Sequence, residues 1–217
     1  MALYRALLDA FGPRHWWPGE SPFEVMVGAV LTQNTAWTNV EKAIGALKEA
    51  DLLEPERLDR APAERVADLV RPSGYFNVKA KRLKSLVHWF VRRLGGCAET
   101  AEAIPTAELR RELLAVHGVG EETADSILLY ALERPVFVVD AYTRRAFSRH
   151  GAFNARASYG EIQRFFQDRL PPDVALYNEY HALIVHLGKD YCRPQPRCED
   201  CPAGRCLSKF AAPPVFA

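Results

Sequence analysis

The stretch from Val116 to Ala124 reads VHGVGEETA and lies between two stretches of helical periodicity. Its two glycines, Gly118 and Gly120, allow a tight turn around Val119 with backbone N–H groups pointing outward. A second helix begins at once and adds its positive dipole end, so both features favour a phosphate oxygen. A glycine turn between helices can also be purely structural. The wider pattern L-x-x-x-H-G-V-G-x-x-T-A favours binding of a nucleic-acid backbone.

A single carboxylate follows a short apolar run after this turn. Asp140 comes after four apolar residues in the stretch Val136 to Arg145, which reads VFVVDAYTRR. Partial shielding from water would strengthen its electrostatic effect. Because the residues after it begin a helix, Asp140 is also a candidate N-cap. Its position after the hairpin favours a role in chemistry.

The cysteines form the third feature. Cys97 stands alone, whereas the other four of the five fall in the pattern C-x5-C-x2-C-x4-C: Cys192, Cys198, Cys201 and Cys206. In a reducing compartment such a cluster is more often a metal site than a disulfide pair. Four thiolates suit a [4Fe–4S] cluster or a structural zinc, and the spacing alone does not separate them. Arg193 and Arg197 lie in the first inter-cysteine loop, which a metal would fold.

Composition and charge place the chain among globular proteins. Of 217 residues, 48% are apolar and 25% charged. No segment approaches the ~20 apolar residues of a membrane span, and a cytoplasmic protein is expected. The net charge is +1, but Arg71 to Ala98 holds seven bases and no acid, and Arg144 to Arg169 holds six arginines against two acids. These runs are either a nucleic-acid face, which would include Arg145, or ordinary solvated helix faces.

The periodicity predicts helices almost throughout and hence an all-α fold. One run, Pro135 to Val139, is strand-like but has no obvious partner. The predicted helices are Phe23 to Leu31, Thr38 to Leu52, Ala63 to Val70, Val78 to Leu94, Thr106 to Val116, Glu121 to Leu132, Ala141 to His150, Tyr159 to Leu170 and Asp173 to Leu187.

Taken together, HGVGEETA, VVDAYTRR and the cysteine tail after LGKDY resemble the endonuclease III superfamily of DNA glycosylases. LTQNT (Leu31 to Thr35) matches the segment that bears the family's DNA-inserting glutamine, here Gln33. RPSGYFNVKAKRL (Arg71 to Leu83) matches the segment with the intercalating wedge, here Tyr75. The resemblance covers nearly the whole chain.

The resemblance implies two helical lobes with double-stranded DNA containing a damaged base bound between them. Residues 21–132 would form a six-helix barrel that includes the helix-hairpin-helix. Residues 1–20 plus 133–217 would form the second lobe and hold a [4Fe–4S] cluster. The expected DNA contacts are Gln33, Tyr75, Lys79, Gly118, Val119, Gly120, Arg145, Arg193 and Arg197. A monomer without membrane association is expected.

Two positions depart from the family pattern. Bifunctional members carry a lysine at the second position after the last hairpin glycine, where it forms a Schiff base and cleaves the strand. Here Glu122 stands at that position, and a carboxylate forms no imine. The family's usual cysteine spacing is C-x6-C-x2-C-x5-C, and both outer gaps are one residue shorter here.

The 3-methyladenine DNA glycosylase III branch resembles this chain more closely, since it shares the tryptophan pair, LTQNT and an acid in place of the lysine. By position, Trp16, Trp17 and Trp37 would wall the base pocket. Stacking a cationic methylated base on indole contributes ~1–2 kcal/mol when desolvated. The same tryptophans could instead be core residues. That branch can lack the cysteine cluster that this chain keeps.

The sequence therefore predicts a monofunctional DNA glycosylase in which Asp140 stabilises an oxocarbenium-like sugar and orients or deprotonates a water. An alkylated purine is the favoured base. One alternative is an endonuclease III that acts on oxidised pyrimidines, with lyase activity from another amine. Another is a non-catalytic DNA-binding protein with a structural or redox-sensing cluster.

Overall fold

The computed structural model describes residues 1–204, and every regular element within them is helical. The all-α prediction is confirmed for this part of the chain. No helix in it is long and apolar enough to cross a bilayer. A π-helical turn, Ile127–Ala131, continues α8, and 3-10 turns lie at Arg71–Ser73 and Ala98–Ala103. The helices are α1 (Ala2–Phe11), α2 (Pro22–Leu31), α3 (Trp37–Glu49), α4 (Pro55–Arg60), α5 (Ala63–Leu69), α6 (Phe76–Leu94), α7 (Thr106–Ala115), α8 (Glu121–Ser126), α9 (Ala141–Arg149), α10 (Tyr159–Gln167) and α11 (Val174–Asp190).

The chain divides into two compact units. One is the continuous stretch Trp17–Arg134, and the other combines Met1–Trp16 with the described residues from Pro135 onward. The sequence placed the boundaries at 21–132 and at 1–20 plus 133–217. The assignment of these parts as a six-helix barrel and a cluster domain stays a prediction.

In the continuous unit, α2 is the central helix. Ser21 caps it by accepting a hydrogen bond from Glu24 N, Pro22 occupies the first turn, and every residue from Phe23 to Leu31 is buried. A helix that is apolar on all sides must be surrounded by other helices. Phe23 stacks on Phe90 of α6 with ring centroids 5.6 Å apart, which joins α2 to the longest helix of the described residues.

In the other unit, α9 and α11 approach closely because of one glycine. A Cβ on Gly188 of α11 would lie 2.4 Å from the ring of Tyr142 in α9. A side chain there would force the helices apart. Behind this contact, Phe137 stacks on Phe166 of α10 with centroids 4.1 Å apart, so that α9, α10 and α11 share one aromatic core.

The strand-like run Pro135 to Val139 is irregular, because side chains of the α10 region satisfy its backbone. Phe137 N donates to the side-chain oxygen of Gln167, and Gln163 donates to Phe137 O. Val139 N donates to the hydroxyl of Tyr159. Buried backbone N–H and C=O groups need hydrogen-bond partners, but these partners need not come from a second strand.

The two helices of the hairpin are joined by a buried ion pair. Asp125 of α8 is fully buried and accepts two hydrogen bonds from Arg110 of α7, at 2.7 and 3.0 Å. We expect Asp125→Ala to lower the free energy of unfolding by about 3 kcal/mol, since it leaves a partly buried guanidinium without this partner. Urea unfolding measures the change.

Asp68→Ala is the matched control. Asp68 pairs with Arg71 at 2.8 Å, but both side chains are more than half exposed. Its loss should change the free energy of unfolding by less than about 1 kcal/mol. Equal effects of the two substitutions would show that the Asp125 pair does not hold the hairpin helices.

Candidate functional site

Glycine occurs at the two hairpin positions for different structural reasons. Gly118 has φ +83°, and a Cβ there would lie 2.1 Å from Arg82 Cγ. Gly120 has the extended φ of −96°, which any residue adopts, and a Cβ there would meet no described atom within 4 Å. The protein's own packing therefore requires Gly118, whereas Gly120 leaves open space at the head of α8. Val119 between them is buried and donates its N–H to Val116 O, which closes the turn.

Gln33 lies against the hairpin. Its side-chain nitrogen donates to Gly118 O and to Thr123 Oγ1, both at 3.0 Å. Its side-chain oxygen accepts a 2.5 Å hydrogen bond from Arg82. The residue that the sequence predicted to insert into DNA is thus engaged by the hairpin in this structure.

Tyr75 is the most exposed large apolar side chain of the described residues, at 77%. Its φ of +44° and ψ of 34° are left-handed, a strained conformation for an aromatic residue, and it immediately precedes α6. Strain of this kind often accompanies function. Val78 is also exposed, one helical turn further along.

Lys79 differs from the other bases between Arg71 and Ala98 because it is only 1% exposed. Its ammonium donates to Leu31 O at 2.7 Å, Thr35 Oγ1 at 3.0 Å and Ser73 O at 2.6 Å. Burial, aided by the charge of Arg82, lowers the pKa of Lys79 to about 8. This placement does not favour the predicted DNA contact, because the ammonium faces protein oxygens.

Asp140 is the N-cap of α9 and its side chain is 10% exposed. One carboxylate oxygen accepts from Thr143 N at 2.6 Å, and the other lies 3.6 Å from His181 Nε2. Burial alone raises the pKa of Asp140, but His181 and Thr143 outweigh it, so the pKa lies below its usual range. The carboxylate is therefore held ionised. Sequence reasoning missed His181, whose only signal was a histidine in the apolar stretch of α11.

Two of the three predicted pocket tryptophans lie together. Trp17 contacts Trp37 and Tyr130, with ring centroids 5.3 Å apart in both pairs, and all three are partly exposed. Gly28 permits this, because a Cβ there would lie 3.2 Å from the Trp17 ring nitrogen. Tyr130 was not foreseen; it lies in the π-helical turn, a distortion that is frequent at functional sites. Trp16 belongs to the other unit, where Lys189 lies 5.9 Å from its ring centroid.

Glu122 lies in the first turn of α8 beside Glu121, and both are exposed. The position that would carry a Schiff-base lysine therefore presents a carboxylate to solvent. Two adjacent acids at a helix N-terminus are favourable for the helix dipole.

Comparison with known proteins agrees with this geometry. The profile of the HhH-GPD superfamily base excision DNA repair proteins matches residues 27–172. The chain belongs to this superfamily. It is 51% identical over 209 residues to a candidate DNA repair glycosylase of Methanocaldococcus jannaschii, with 95% of each chain covered.

Solved structures show the same likeness for this HhH-GPD protein. H. pylori 3-methyladenine DNA glycosylase bound to 1,N6-ethenoadenine is 31% identical, with a TM-score of 0.73 that covers 87% of this chain and 94% of that one. A non-covalent endonuclease III–DNA complex is 22% identical, with a TM-score of 0.80 and 96% and 93% covered. The second likeness shows the fold alone.

The cysteine loop of this HhH-GPD protein follows α11 and is tied to α9. Arg145 donates to Cys192 O and Gly188 O, and Arg149 donates to Arg193 O and Pro194 O. Arg145, predicted to contact DNA, therefore has two donors engaged within the protein. Arg193 and Arg197 remain exposed at the surface of the loop.

Three of the predicted metal ligands, Cys192, Cys198 and Cys201, line one cavity of about 140 Å³. Burial raises the pKa of the Cys201 thiol, and the other two cysteines raise it further. Within residues 1–204 no three histidine, cysteine or acidic side chains come close enough together to hold a metal ion. Cys206, the fourth predicted ligand, lies outside the described residues. The three thiols border the same cavity without forming a ligand set among the described residues, and the cluster stays a prediction.

The two glycines of the hairpin give a paired prediction. Gly120→Ala should leave the free energy of unfolding unchanged and weaken duplex DNA binding about tenfold, which is roughly 1.4 kcal/mol, because its Cβ would occupy the space that a phosphate approaches. Fluorescence anisotropy with a labelled duplex measures the affinity.

Gly118→Ala should instead destabilise the protein by at least about 1 kcal/mol, since alanine is strained at this φ and its Cβ meets Arg82. If the Gly120→Ala protein binds duplex DNA with the wild-type affinity, the hairpin does not bind a phosphate.

Proposed function

We propose that the protein is a monofunctional DNA glycosylase that hydrolyses the N-glycosidic bond of a flipped, alkylated purine. The observation that carries this proposal is Asp140, a shielded carboxylate held ionised at the head of α9. Membership of a base excision repair superfamily supports the reaction class. That membership does not specify which base leaves or whether the strand is cut, and both points are proposed here.

The chemistry follows from the state of this carboxylate. Loss of the base leaves positive charge on the sugar, and an ionised carboxylate with little solvent around it stabilises that charge more strongly than one in water. The same group can orient or deprotonate the attacking water. His181 and Thr143 keep Asp140 ionised and fixed. An alkylated purine already carries positive charge and leaves with little acid catalysis.

DNA engagement would use the hairpin and the two insertion segments of the continuous unit. Gly118 and Gly120 would bring backbone amides to a phosphate, and Tyr75 would enter the base stack. Gln33 would exchange its hydrogen bonds to the hairpin for a place in the gap that the flipped base leaves. Flipping costs a few kcal/mol, and less for a damaged base that pairs poorly.

The aromatic cluster supports an electron-poor base as substrate. Trp17, Trp37 and Tyr130 are partly exposed rings in contact, and indole faces attract cations. The H. pylori relative, 31% identical, was solved with 1,N6-ethenoadenine bound. We assign a modified adenine to this chain by that likeness, with Tyr130 added to the predicted walls.

We also propose that Cys192, Cys198, Cys201 and Cys206 hold a [4Fe–4S] cluster. When bound, such a cluster cross-links its loop through iron–thiolate bonds. Arg145 and Arg149 of α9 already hold that loop by hydrogen bonds to its backbone carbonyls. Exposed Arg193 and Arg197 on the same loop would then contact phosphates.

Asp140→Asn tests the carboxylate. Asparagine is as good an N-cap as aspartate, so the fold and DNA affinity should persist. Base release from a 3-methyladenine duplex should fall at least about 100-fold, because the amide stabilises no cation. Single-turnover release of free base measures the rate.

Asp173→Asn is the matched control. Asp173 caps α11 by accepting from Leu176 N at 2.7 Å and is exposed. The Asp173→Asn protein should release the base at the wild-type rate. An Asp140→Asn protein that releases base at the wild-type rate would contradict the catalytic role.

Glu122 gives a second test. Wild-type protein mixed with abasic duplex and borohydride should form no covalent adduct, because a carboxylate forms no imine. Glu122→Lys should create a trappable amine, whereas Glu121→Lys, one residue earlier, should not. Denaturing gels detect the adduct. Trapping by the wild type would favour the endonuclease III alternative, with another amine as nucleophile.

A further inference from the structure

The buried ammonium of Lys79 connects three separate backbone segments. It donates to Leu31 O at the end of α2, to Thr35 Oγ1 just before α3, and to Ser73 O in the 3-10 turn before α6. Thr35 Oγ1 also donates to Ser73 O. The two segments around Thr35 and Ser73 are therefore bonded to each other and to one shared cation.

These anchor points bracket the two residues proposed to insert into DNA. Gln33 lies between Leu31 and Thr35. Tyr75 follows Ser73 by two residues, and its carbonyl accepts the backbone N–H of Lys79 at 2.9 Å. A shift of the ammonium would therefore move both insertion segments.

The chemistry of the site indicates that the cation has a purpose beyond packing. All three acceptors are uncharged oxygens, and the nearby Arg82 adds a like charge. A buried ammonium without a carboxylate partner is costly, and an apolar side chain of similar length would avoid that cost. Only a group with several donors can bind three oxygens of different segments at once.

We propose that Lys79 is a positioning residue that holds the Gln33 and Tyr75 segments in register for joint insertion into the DNA stack. The roles of Gln33 and Tyr75 rest on the proposed function. The inference replaces the direct DNA contact predicted for Lys79, and the two roles have different consequences for binding.

The test uses a duplex with 2-aminopurine opposite a tetrahydrofuran abasic analogue, so that insertion is read as fluorescence without any base release. Lys79→Met should bind undamaged duplex within about twofold of the wild type, with the same salt slope. It should lose about tenfold of its preference for the abasic duplex and most of the fluorescence increase at saturation.

Lys81→Met is the matched control, because Lys81 lies on the same helix but is exposed. At saturation its fluorescence increase should equal that of the wild type. A Lys79→Met protein with normal insertion overturns the proposal. So does a salt slope reduced by about one with affinity lost equally on all duplexes, the signature of a phosphate contact.

Thr35→Val provides a second variant if Lys79→Met does not fold. It keeps the shape of the side chain and removes the hydroxyl that links Lys79 to the Ser73 segment. We expect about a threefold loss of abasic preference. A folded Thr35→Val protein with wild-type insertion overturns the proposal.

These assays need no catalysis. Failure of the positioning role of Lys79 can therefore be told apart from failure of the proposed glycosylase activity. Lost insertion in Lys79→Met, combined with no base release from any lesion by the wild type, would reject the catalytic proposal and support the positioning role.

Discussion

Charged side chains in the interior of a protein must find partners there, and three such residues fix this structure. Lys79 binds three oxygens in the continuous unit, and Asp125 accepts two hydrogen bonds from Arg110 in the same unit. Asp140 is shared between Thr143 N and His181. Because an unpartnered buried charge is so unfavourable, each of these contacts restricts the segments that supply it.

In each unit by itself, these restrictions fall on segments that carry predicted site residues. Lys79 joins the insertion segments, Asp125 joins the two hairpin helices, and Asp140 begins α9. Gln33 adds a fourth link, from its own segment to Gly118 and Thr123 of the hairpin. Since Gln33 cannot keep these bonds and enter DNA at once, we expect engagement of the hairpin and insertion of Gln33 to be coupled. Within the continuous unit, the residue proposed to fill the vacant base position is thus bonded to the hairpin proposed to bind the backbone.

Most helices with apolar periodicity were predictable, and so was the N-cap position of Asp140, because both depend on local sequence. Two helices were not predicted: α1, ALYRALLDAF, despite its amphipathic pattern, and α4, PERLDR, which is too short to show a period. The run Pro135 to Val139 looked like a strand because a continuous apolar run rich in valine does not reveal that side chains of the α10 region bind its backbone.

Contacts that depend on tertiary structure were not predictable. Lys79 lies in a run of seven bases, and nothing in that run separates a buried ammonium from solvated ones. His181 and Tyr130 gain their significance only from Asp140 and Trp17, which are distant in sequence. Arg145 has the right charge for DNA, but its direction towards Gly188 and Cys192 follows from the packing of α9 on α11.

The central claim is that Asp140 removes an alkylated base while Glu122 leaves the strand intact. The most direct measurement incubates the wild-type protein with a duplex containing 3-methyladenine and quantifies free base and strand length separately. We predict stoichiometric free base with a full-length strand that breaks only on heating in alkali. Strand breaks that equal the released base without alkali, or no released base, would contradict the account.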